Sequence, residues 1–196
     1  MTHRCESHPA TVHARAMLGH LGIPCGTEDT EDTPARLVGA ILELTSGLGL
    51  DPGRHLARTF PPPSADPPMV VVPGIPIVSV CEHHMLPFTG TATVAYLPVT
   101  RIVGLSKLAR MAQEFAARPQ VQERLGDQIT ATIDAHLETR GSACMIRAVH
   151  TCMTLRGARA AGAGMITNHL TGRFRDDEAA RSEFLALAAG GLRPAG

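Results

Sequence analysis

The sequence predicts an α+β fold, in which runs of strands and runs of helices follow one another along the chain. Two strand-like stretches come first, at residues 69–80 and 91–97, and two amphipathic helical stretches follow them. Strand patterns return from Ala143 and again near Met165–Leu170. Because strands and helices are grouped rather than alternating singly, the order two strands, two helices, two strands is typical of the α+β class.

Length and composition indicate one folded domain with a smaller appendage. The chain has 196 residues and a formal net charge of zero, which argues against a nucleic-acid coat or a polybasic membrane surface as partner. No apolar run reaches the roughly 20 residues of a membrane span, and the N-terminus lacks a signal-peptide pattern. The five cysteines are an odd number, which favours reduced thiols. We therefore expect a soluble, cytoplasmic protein that binds neither membranes nor nucleic acid.

The first part of the chain, residues 1–68, is expected to be an N-terminal arm with helices and a proline-rich linker. A weak helical pattern covers residues 12–21, and Thr33-Pro34 predicts the start of a firmer helix that ends at Gly47. Prolines crowd residues 51–68, which predicts a linker without regular structure. The rest is expected to divide into a main domain and a short tail, at residues 69–190 and 191–196.

Local signals define the elements of the main domain. Pro73-Gly74 interrupts its first strand, so that strand is expected to pair at a sheet edge or through a bulge. Leu105–Ala117 carries apolar residues at helical spacing, and Pro119 is expected to open a longer amphipathic helix that ends before Gly141. A last helix is expected at Asp176–Ala188.

Two clusters of metal-binding side chains lie in these strand-like regions. Cys81-Glu82-His83-His84 follows the first strand, and His150-Thr151-Cys152 lies far downstream. Together they supply two thiols and three imidazoles, which is enough for a Cys2His zinc site with histidines to spare for acid and base work. Three protein ligands leave a fourth position open, which is the catalytic rather than the structural pattern of zinc.

Period-two geometry predicts how the second cluster is presented. If the strand from Ala143 continues through it, His150, Cys152 and Arg156 share one face. Cys144 shares that face but lies roughly 26 Å from Cys152, at about 3.3 Å per residue. We therefore interpret Cys144 as a packing residue.

Lysine is almost absent from this chain. Its 18 Lys and Arg residues are seventeen Arg and one Lys. A single lysine at Lys107 indicates that this position needs an ammonium group, whose chemistry a guanidinium cannot supply. The alternative is that one lysine persists on a solvated face. Arg36, in the first turn of its helix, is likewise open to interpretation as a solvated charge.

Several motifs in register resemble type I GTP cyclohydrolase. They are Ser79-x-Cys81-Glu82-His83-His84, Gly104-Leu105-Ser106-Lys107, Arg118-Pro119-Gln120-Val121-Gln122-Glu123-Arg124-Leu125, Cys152-x-x-x-Arg156-Gly157 and, near the N-terminus, Thr33-Pro34-x-Arg36. The resemblance spans roughly residues 33–188. It implies the tunnelling fold (T-fold): an antiparallel sheet with two helices packed on one face, strands that close into a multi-subunit barrel, and N-terminal helices.

The resemblance also implies an activity and an assembly. Members of this family are zinc enzymes that convert GTP and water to 7,8-dihydroneopterin triphosphate and formate, the first step towards folate and other pterins. They form homodecamers with active sites between subunits. GTP as substrate, Zn2+ as cofactor and further copies of the chain as partners are the corresponding expectations.

Carried over position by position, the resemblance implies a role for each site residue. Cys81, His84 and Cys152 would hold zinc, and His83 and His150 would transfer protons. Glu123 would accept hydrogen bonds from the guanine edge, with Gln122 and Leu105 also among the substrate contacts. Lys107, Arg110, Arg156 and Arg36 would meet the triphosphate, and Ser106 would act near the ribose. These four cationic side chains would balance the roughly four negative charges of a triphosphate.

The chain departs from the family pattern after Arg156-Gly157. A Ser/Thr-rich strand is usual there, but this chain has Ala163, Gly164, Met165 and Ile166 and retains only Thr167. Two alternatives remain open, and this departure motivates the first of them. One is a paralogue that stops at the formamidopyrimidine intermediate or uses a modified purine nucleotide. The other is a non-catalytic, zinc-stabilised binding subunit.

Overall fold

The computed structural model describes residues 7–190. The chain divides into two compact units between Ser46 and Gly47. In the first unit, helices α1 (Pro9–His20) and α2 (Thr33–Leu44) pack against each other. Both overlap the predicted helices, although α1 already begins at Pro9 and α2 ends at Leu44 rather than at Gly47.

The second unit contains a sheet of five strands and a separate two-stranded ribbon. Its strands are β1 (Thr59–Phe60), β2 (Val70–Cys81), β3 (Pro87–Pro98), β4 (Ile102–Val103), β5 (Pro119–Gln120), β6 (Thr139–His150) and β7 (Met165–Leu170). Its helices are α3 (Leu105–Ala116), α4 (Gln122–Leu137), the one-turn α5 (Thr151–Thr154), α6 (Gly172–Asp176) and α7 (Glu178–Gly190), with a 3-10 helix at Pro52–Leu56. The 3-10 helix and β1 correct the prediction that residues 51–68 lack regular structure.

The large sheet has the strand order β5-β2-β3-β6-β7. Its four long strands pair antiparallel with their neighbours, and the two-residue β5 runs parallel to β2. The β2–β3 register shifts between Val72 and Ile75, where Gly74 takes a φ of 72°. Of the two alternatives predicted at Pro73-Gly74, a sheet edge or a bulge, the register shift shows the bulge.

Helices α3 and α4 cover one face of this sheet. Helix α3 packs against β2, and α4 packs against β6 and β7. Alternate residues of β6, which are Cys144, Ile146 and Ala148, join the core beneath the helices. Leu125 and Ile129 of α4 are fully buried one helical turn apart, as an amphipathic helix requires. The α+β class and the antiparallel sheet with two helices on one face are confirmed.

A second, smaller core lies on the opposite face of the sheet, under α6 and α7. There Phe174 and Phe184 pack edge to face, with ring centroids 5.6 Å apart. The helix predicted at Asp176–Ala188 begins at Glu178, after the short α6. Among residues 7–190, no helix combines the length and the apolar character that a membrane crossing needs.

The start of α4 differs from the prediction. Pro119 does not open that helix, because Pro119 and Gln120 form β5 and pair with Val80 and Cys81. The Glu82 amide continues this contact by donating to the Gln120 carbonyl at 3.0 Å. A proline suits either a helix start or a short edge strand, so pairing with the remote strand β2 determines which of the two forms.

The end of β6 also differs from the prediction. The strand stops at His150, and the chain turns into α5, so His150, Cys152 and Arg156 do not share a strand face. In the neighbouring strand, Phe88 pairs with His150, and β3 begins only one residue earlier, at Pro87. Beyond this point β6 has no ladder partner on that side, and its backbone groups must find other bonds.

Candidate active site

A tight loop at the end of β2 sets Cys81 and His84 side by side. The Cys81 carbonyl accepts from the amides of His84 and Met85 at 3.3 and 2.8 Å, and the Cys81 amide donates to the Leu86 carbonyl at 2.8 Å. Met85 adopts the left-handed conformation, with a φ of 54°, which reverses the chain within the loop. As a result, Cys81 Sγ lies 3.9 Å from His84 Nδ1.

Cys152 reaches the same point from β6, whose last residue His150 lies level with Ser79 of β2 because both pair with Phe88. Helix α5 turns directly after β6, and Thr151 Oγ1 fixes it by donating to the Pro87 carbonyl at 2.6 Å. The ligand atoms of Cys81, His84 and Cys152 all lie within 4.8 Å of one another. The structure therefore brings together the three residues expected to hold a metal, with Cys152 presented by a helical turn rather than by a strand face.

The donor set fits a tetrahedral zinc ion. Zinc bonds of about 2.3 Å to sulfur and about 2.0–2.1 Å to nitrogen place neighbouring donors about 3.5–3.8 Å apart, close to the 3.9 Å between Cys81 and His84. Burial and a hydrogen bond with Cys81 raise the pKa of the Cys152 thiol, while Arg156 opposes the shift. A Cys152 thiolate in this position needs a cation to compensate its charge, and a divalent metal is such a cation.

Cys144 takes no part in this cluster. It is fully buried among apolar core residues, and burial raises the pKa of its thiol to about 12. A thiol that stays protonated at neutral pH is a poor ligand and a poor nucleophile. The interpretation of Cys144 as a packing residue is confirmed.

His150 sits in a more enclosed setting. Its ring stacks on Phe88, with centroids 4.3 Å apart and planes at 13°, and its Nε2 lies 2.9 Å from Gln122 Oε1. Burial lowers the pKa of His150, and the negative charge of Glu123 opposes that shift. A histidine that is mainly neutral near pH 7 is able to accept a proton.

Phe88 escapes prediction from the sequence, because the strand predicted at residues 91–97 begins too late to include it. The even-numbered face of β3 that joins the main core continues back from Tyr96 to Phe88. That alternation is the signal that could have placed an aromatic ring beside the cluster.

His83 and Glu82 complete the loop of β2. His83 is exposed, and its Nδ1 lies 3.8 Å from Cys81 Sγ. Glu82 forms an ion pair with Arg124 of α4, and Arg124 Nε also donates to Gln120 Oε1 at 3.1 Å. The loop that carries the metal ligands is thus tied to the first turn of α4, a link between remote segments that the sequence does not indicate.

Gln122 connects α4 to the strands beneath it. Its fully buried side chain places Nε2 at 3.0 Å from the Ile146 carbonyl, 3.3 Å from the Met165 carbonyl and 3.2 Å from Thr167 Oγ1. Thr167 is the residue retained from the Ser/Thr-rich strand. Ile166, which stands where the family pattern has a Ser/Thr-rich strand, points to the other face of the sheet and is 63% exposed. Its side chain therefore does not contact Gln122.

The remaining expected substrate contacts are spread over both units. Lys107, Arg110, Arg156, Glu123, Leu105 and Ser106 belong to the second unit, and Arg36 belongs to the first. Arg36 pairs with Asp32 at 3.3 Å. Within residues 7–190, Lys107, Arg110 and Arg156 pair with no carboxylate, and no hydrogen bond joins the side chains of Lys107 or Arg110 to the metal-ligand cluster. Among the described residues, these three cations of the second unit therefore have no carboxylate partner that an anionic ligand would have to displace.

Comparison with known proteins gives a consistent result. The family model for GTP cyclohydrolase I matches residues 10–189. GTP cyclohydrolase 1 of Rhodopirellula baltica is 46% identical over 156 residues, which cover 80% of this chain and 67% of the relative. GTP cyclohydrolase 1 of Pelotomaculum thermopropionicum is 41% identical over 186 residues, covering 94% and 98%. That of Carboxydothermus hydrogenoformans is 43% identical over 177 residues, covering 90% and 91%.

Among solved structures, the chain is similar to the crystal structure of the archaeosine synthase QueF-Like in the apo form. The TM-score is 0.45 and the sequence identity is 14%, and the match covers 54% of this chain and 95% of that chain.

Proposed function

Because the chain belongs to the GTP cyclohydrolase I family, we propose that it hydrolyses GTP at C8 and rearranges the product to 7,8-dihydroneopterin triphosphate with release of formate. The chain is an enzyme of this family, and its α+β structure is the family's tunnelling fold. The proposal rests above all on the cluster of Cys81, His84 and Cys152, whose ligand atoms lie within 4.8 Å of one another.

We assign the metal site to zinc, held by Cys81, His84 and Cys152. When bound, zinc supplies Lewis-acid activation of water near neutral pH. The chain's own contribution is to hold the three ligands in place before the metal arrives. The β2 loop orients two of them, and the bond from Thr151 Oγ1 to the Pro87 carbonyl at 2.6 Å orients the third.

Proton transfer falls to His150 and His83. Attack of water on C8 requires a base for the water's proton and an acid for the nitrogen that leaves. His150, whose pKa is lowered by burial, is suited to accept a proton, and exposed His83 lies beside the cluster to exchange one with solvent. A second hydrolysis then releases formate, and the ribose opens and closes the new ring, with Ser106 expected near the sugar.

We assign separate groups of residues to the guanine end and to the triphosphate end of the nucleotide. A carboxylate at Glu123 accepts from N1–H and the exocyclic amine of guanine, and adenine offers no such pair of donors. Gln122 and Leu105 lie at the starts of α4 and α3, among the same expected contacts. Lys107, Arg110, Arg156 and Arg36 are assigned to the triphosphate, for which Arg36 would exchange its bond to Asp32.

We further propose a cytoplasmic homodecamer with active sites between subunits. Two observations support an assembly. Strand β7 lies at the edge of the described sheet, and an unpaired strand edge is a natural place for another strand. In addition, Lys107 and Arg110 make no bond to the cluster of their own chain within residues 7–190, which a site shared with a neighbouring subunit would explain.

Metal content and GTP turnover should be measured on the same sample of purified protein. We expect close to stoichiometric zinc, together with formate and the fluorescence of an oxidised pterin. Formate or ring opening without fluorescence would instead support the paralogue that stops at an intermediate. Bound zinc without any turnover of GTP would support the non-catalytic binding subunit.

A further inference from the structure

The orientation of the Gln122 amide determines which nitrogen of His150 carries a proton. One end of the amide faces the carbonyls of Ile146 and Met165, at 3.0 and 3.3 Å. A carbonyl oxygen only accepts hydrogen bonds, so the amide end that faces both must be the NH2 group. The third neighbour of that end, Thr167 Oγ1 at 3.2 Å, can also accept.

With its nitrogen fixed, the Gln122 side chain must present its oxygen to His150. The separation between Oε1 and His150 Nε2 is 2.9 Å, and an amide oxygen cannot donate, so Nε2 must be the protonated nitrogen. Nδ1 is then the unprotonated nitrogen of the neutral ring, and it makes no hydrogen bond among residues 7–190. The stack on Phe88, with centroids 4.3 Å apart, restricts the ring to this plane.

We propose that Gln122 and Thr167 are positioning residues that hold His150 as its Nε2–H tautomer, so that Nδ1 is the atom that exchanges a proton with the substrate. This inference rests on the proposed function, in which His150 transfers protons. It gives Gln122 a role different from guanine binding, because the amide nitrogen is fully engaged and only one lone pair of Oε1 remains. It also explains a use for the threonine retained in a strand that has lost the family's other hydroxyls.

The tautomer should be read directly from the 15N chemical shifts of labelled histidines in the zinc-loaded protein. Solid-state NMR at a pH about two units above the usual histidine pKa keeps the ring neutral, and the spectrum of the His150→Gln variant assigns the signal. A protonated Nε2 with a bare Nδ1 is the expected result. A proton on Nδ1 would overturn the proposal. This measurement does not depend on turnover, so a protein that failed to convert GTP would refute the proposed function without deciding the tautomer.

Kinetics of strand variants test the positioning role. Thr167→Val removes one hydroxyl, and we expect kcat to fall about 3- to 10-fold while KM for GTP stays within about twofold. Thr167→Ser should restore kcat, because the hydroxyl returns. Asn168→Ala is the matched control, since its side chain points to the opposite face of β7, and it should keep the wild-type kcat. Equal kcat for Thr167→Val and wild type, or a change in KM alone, would count against the role of Thr167.

Gln122→Met provides the stronger variant, because it keeps the volume and removes both polar atoms. We expect a loss of kcat of about 100-fold or more, in the range attributed to a general acid or base, with zinc content unchanged. The His150 signal in this variant should show a mixture of the two neutral tautomers. Retention of the Nε2–H form without the amide would refute control by Gln122.

Discussion

Cys152 and His150, which are proposed for metal binding and for proton transfer, are near neighbours in the chain with different surroundings. Cys152 lies in α5 with its sulfur near Cys81. His150 is the last residue of β6 and contacts Phe88 and Gln122. Since the two side chains have separate partners, we expect their substitutions to have separable effects.

Cys152→Ser should lose zinc and activity together, because one of three protein ligands is removed. His150→Ala should retain zinc and lose turnover by about 10^2- to 10^4-fold, the usual contribution of a general acid or base. Zinc content and GTP turnover measured on both variants test this division. Full activity of His150→Ala would show that the division is wrong.

Lys107 is the only lysine of the chain, and it is assigned to the triphosphate. Lys107→Ala should raise KM for GTP, and the effect should shrink as salt is added, because added ions screen a charge–charge contact. Steady-state kinetics at low and high ionic strength test this, with Lys107→Arg showing whether charge alone is enough. A KM unchanged by Lys107→Ala would contradict the phosphate role.

At the scale of elements, helix α4 approaches strand β7 through a glycine. A Cβ built on Gly126 would lie 2.1 Å from Cδ2 of His169. The His169 side chain is only 12% exposed, and its Nδ1 bonds Asp127 at 2.7 Å, so the ring has little freedom to move aside. The contact sets how closely α4, which carries Gln122 and Glu123, packs on the sheet.

Gly126→Ala should destabilise the protein by about 1–3 kcal/mol, as overpacking does in well-packed cores. Chemical denaturation or the shift in Tm measures the effect. Gly19→Ala is the control, because a Cβ there meets nothing within 4 Å. In a His169→Ala background the cost of Gly126→Ala should fall, and an unchanged cost would show that the ring is not the obstacle.

The ends of elements show why local patterns were only partly sufficient. Strand β6 was predicted to continue through Cys152, yet it ends at His150, where the partner strand β3 begins. Period-two alternation describes which way side chains point along a strand, but it contains no information about where the neighbouring strand starts. The prediction of a helix from Pro119 fails for the same reason, since β5 depends on a partner in β2.

At the scale of the whole molecule, the proposal of active sites between subunits leads to a test by complementation. If Lys107 serves the metal cluster of a neighbouring chain, an inactive Cys152→Ser chain and a Lys107→Ala chain with weakened GTP binding can together form some intact sites, which are assayed at a GTP concentration well below the raised KM. Coexpression of the two variants should therefore restore part of the wild-type turnover, while each variant alone remains poor. In light scattering, the same sample should have a mass about ten times that of a single chain, as the proposed decamer requires.

Absence of any restored turnover in mixed oligomers would place the whole site within one chain. A control mixture of Cys152→Ser with Cys81→Ser should not recover activity. Both residues belong to one cluster in one chain, so no combination of these two variants contains an intact metal site.

The sequence by itself determined the donor atoms and most of the elements. Cysteine and histidine spacing, helical periodicity in α3 and α4 and the bulge at Pro73-Gly74 are local properties, because each depends on residues near one another in the chain. The two sequence clusters supply two thiols and three imidazoles, and the family resemblance selects Cys81, His84 and Cys152 among them as the expected ligands.

Only the tertiary structure decided how the parts meet. The ligand atoms of Cys81 and Cys152 lie within 4.8 Å although half the main domain separates them in sequence. The hydrogen bonds from Thr167 to Gln122 and from Gln122 to His150 connect β7, α4 and β6. Such contacts follow from sheet register and helix packing, which depend on where distant partners begin and end. No local pattern records that information, because a side chain's spacing along its own strand is the same whatever lies across from it.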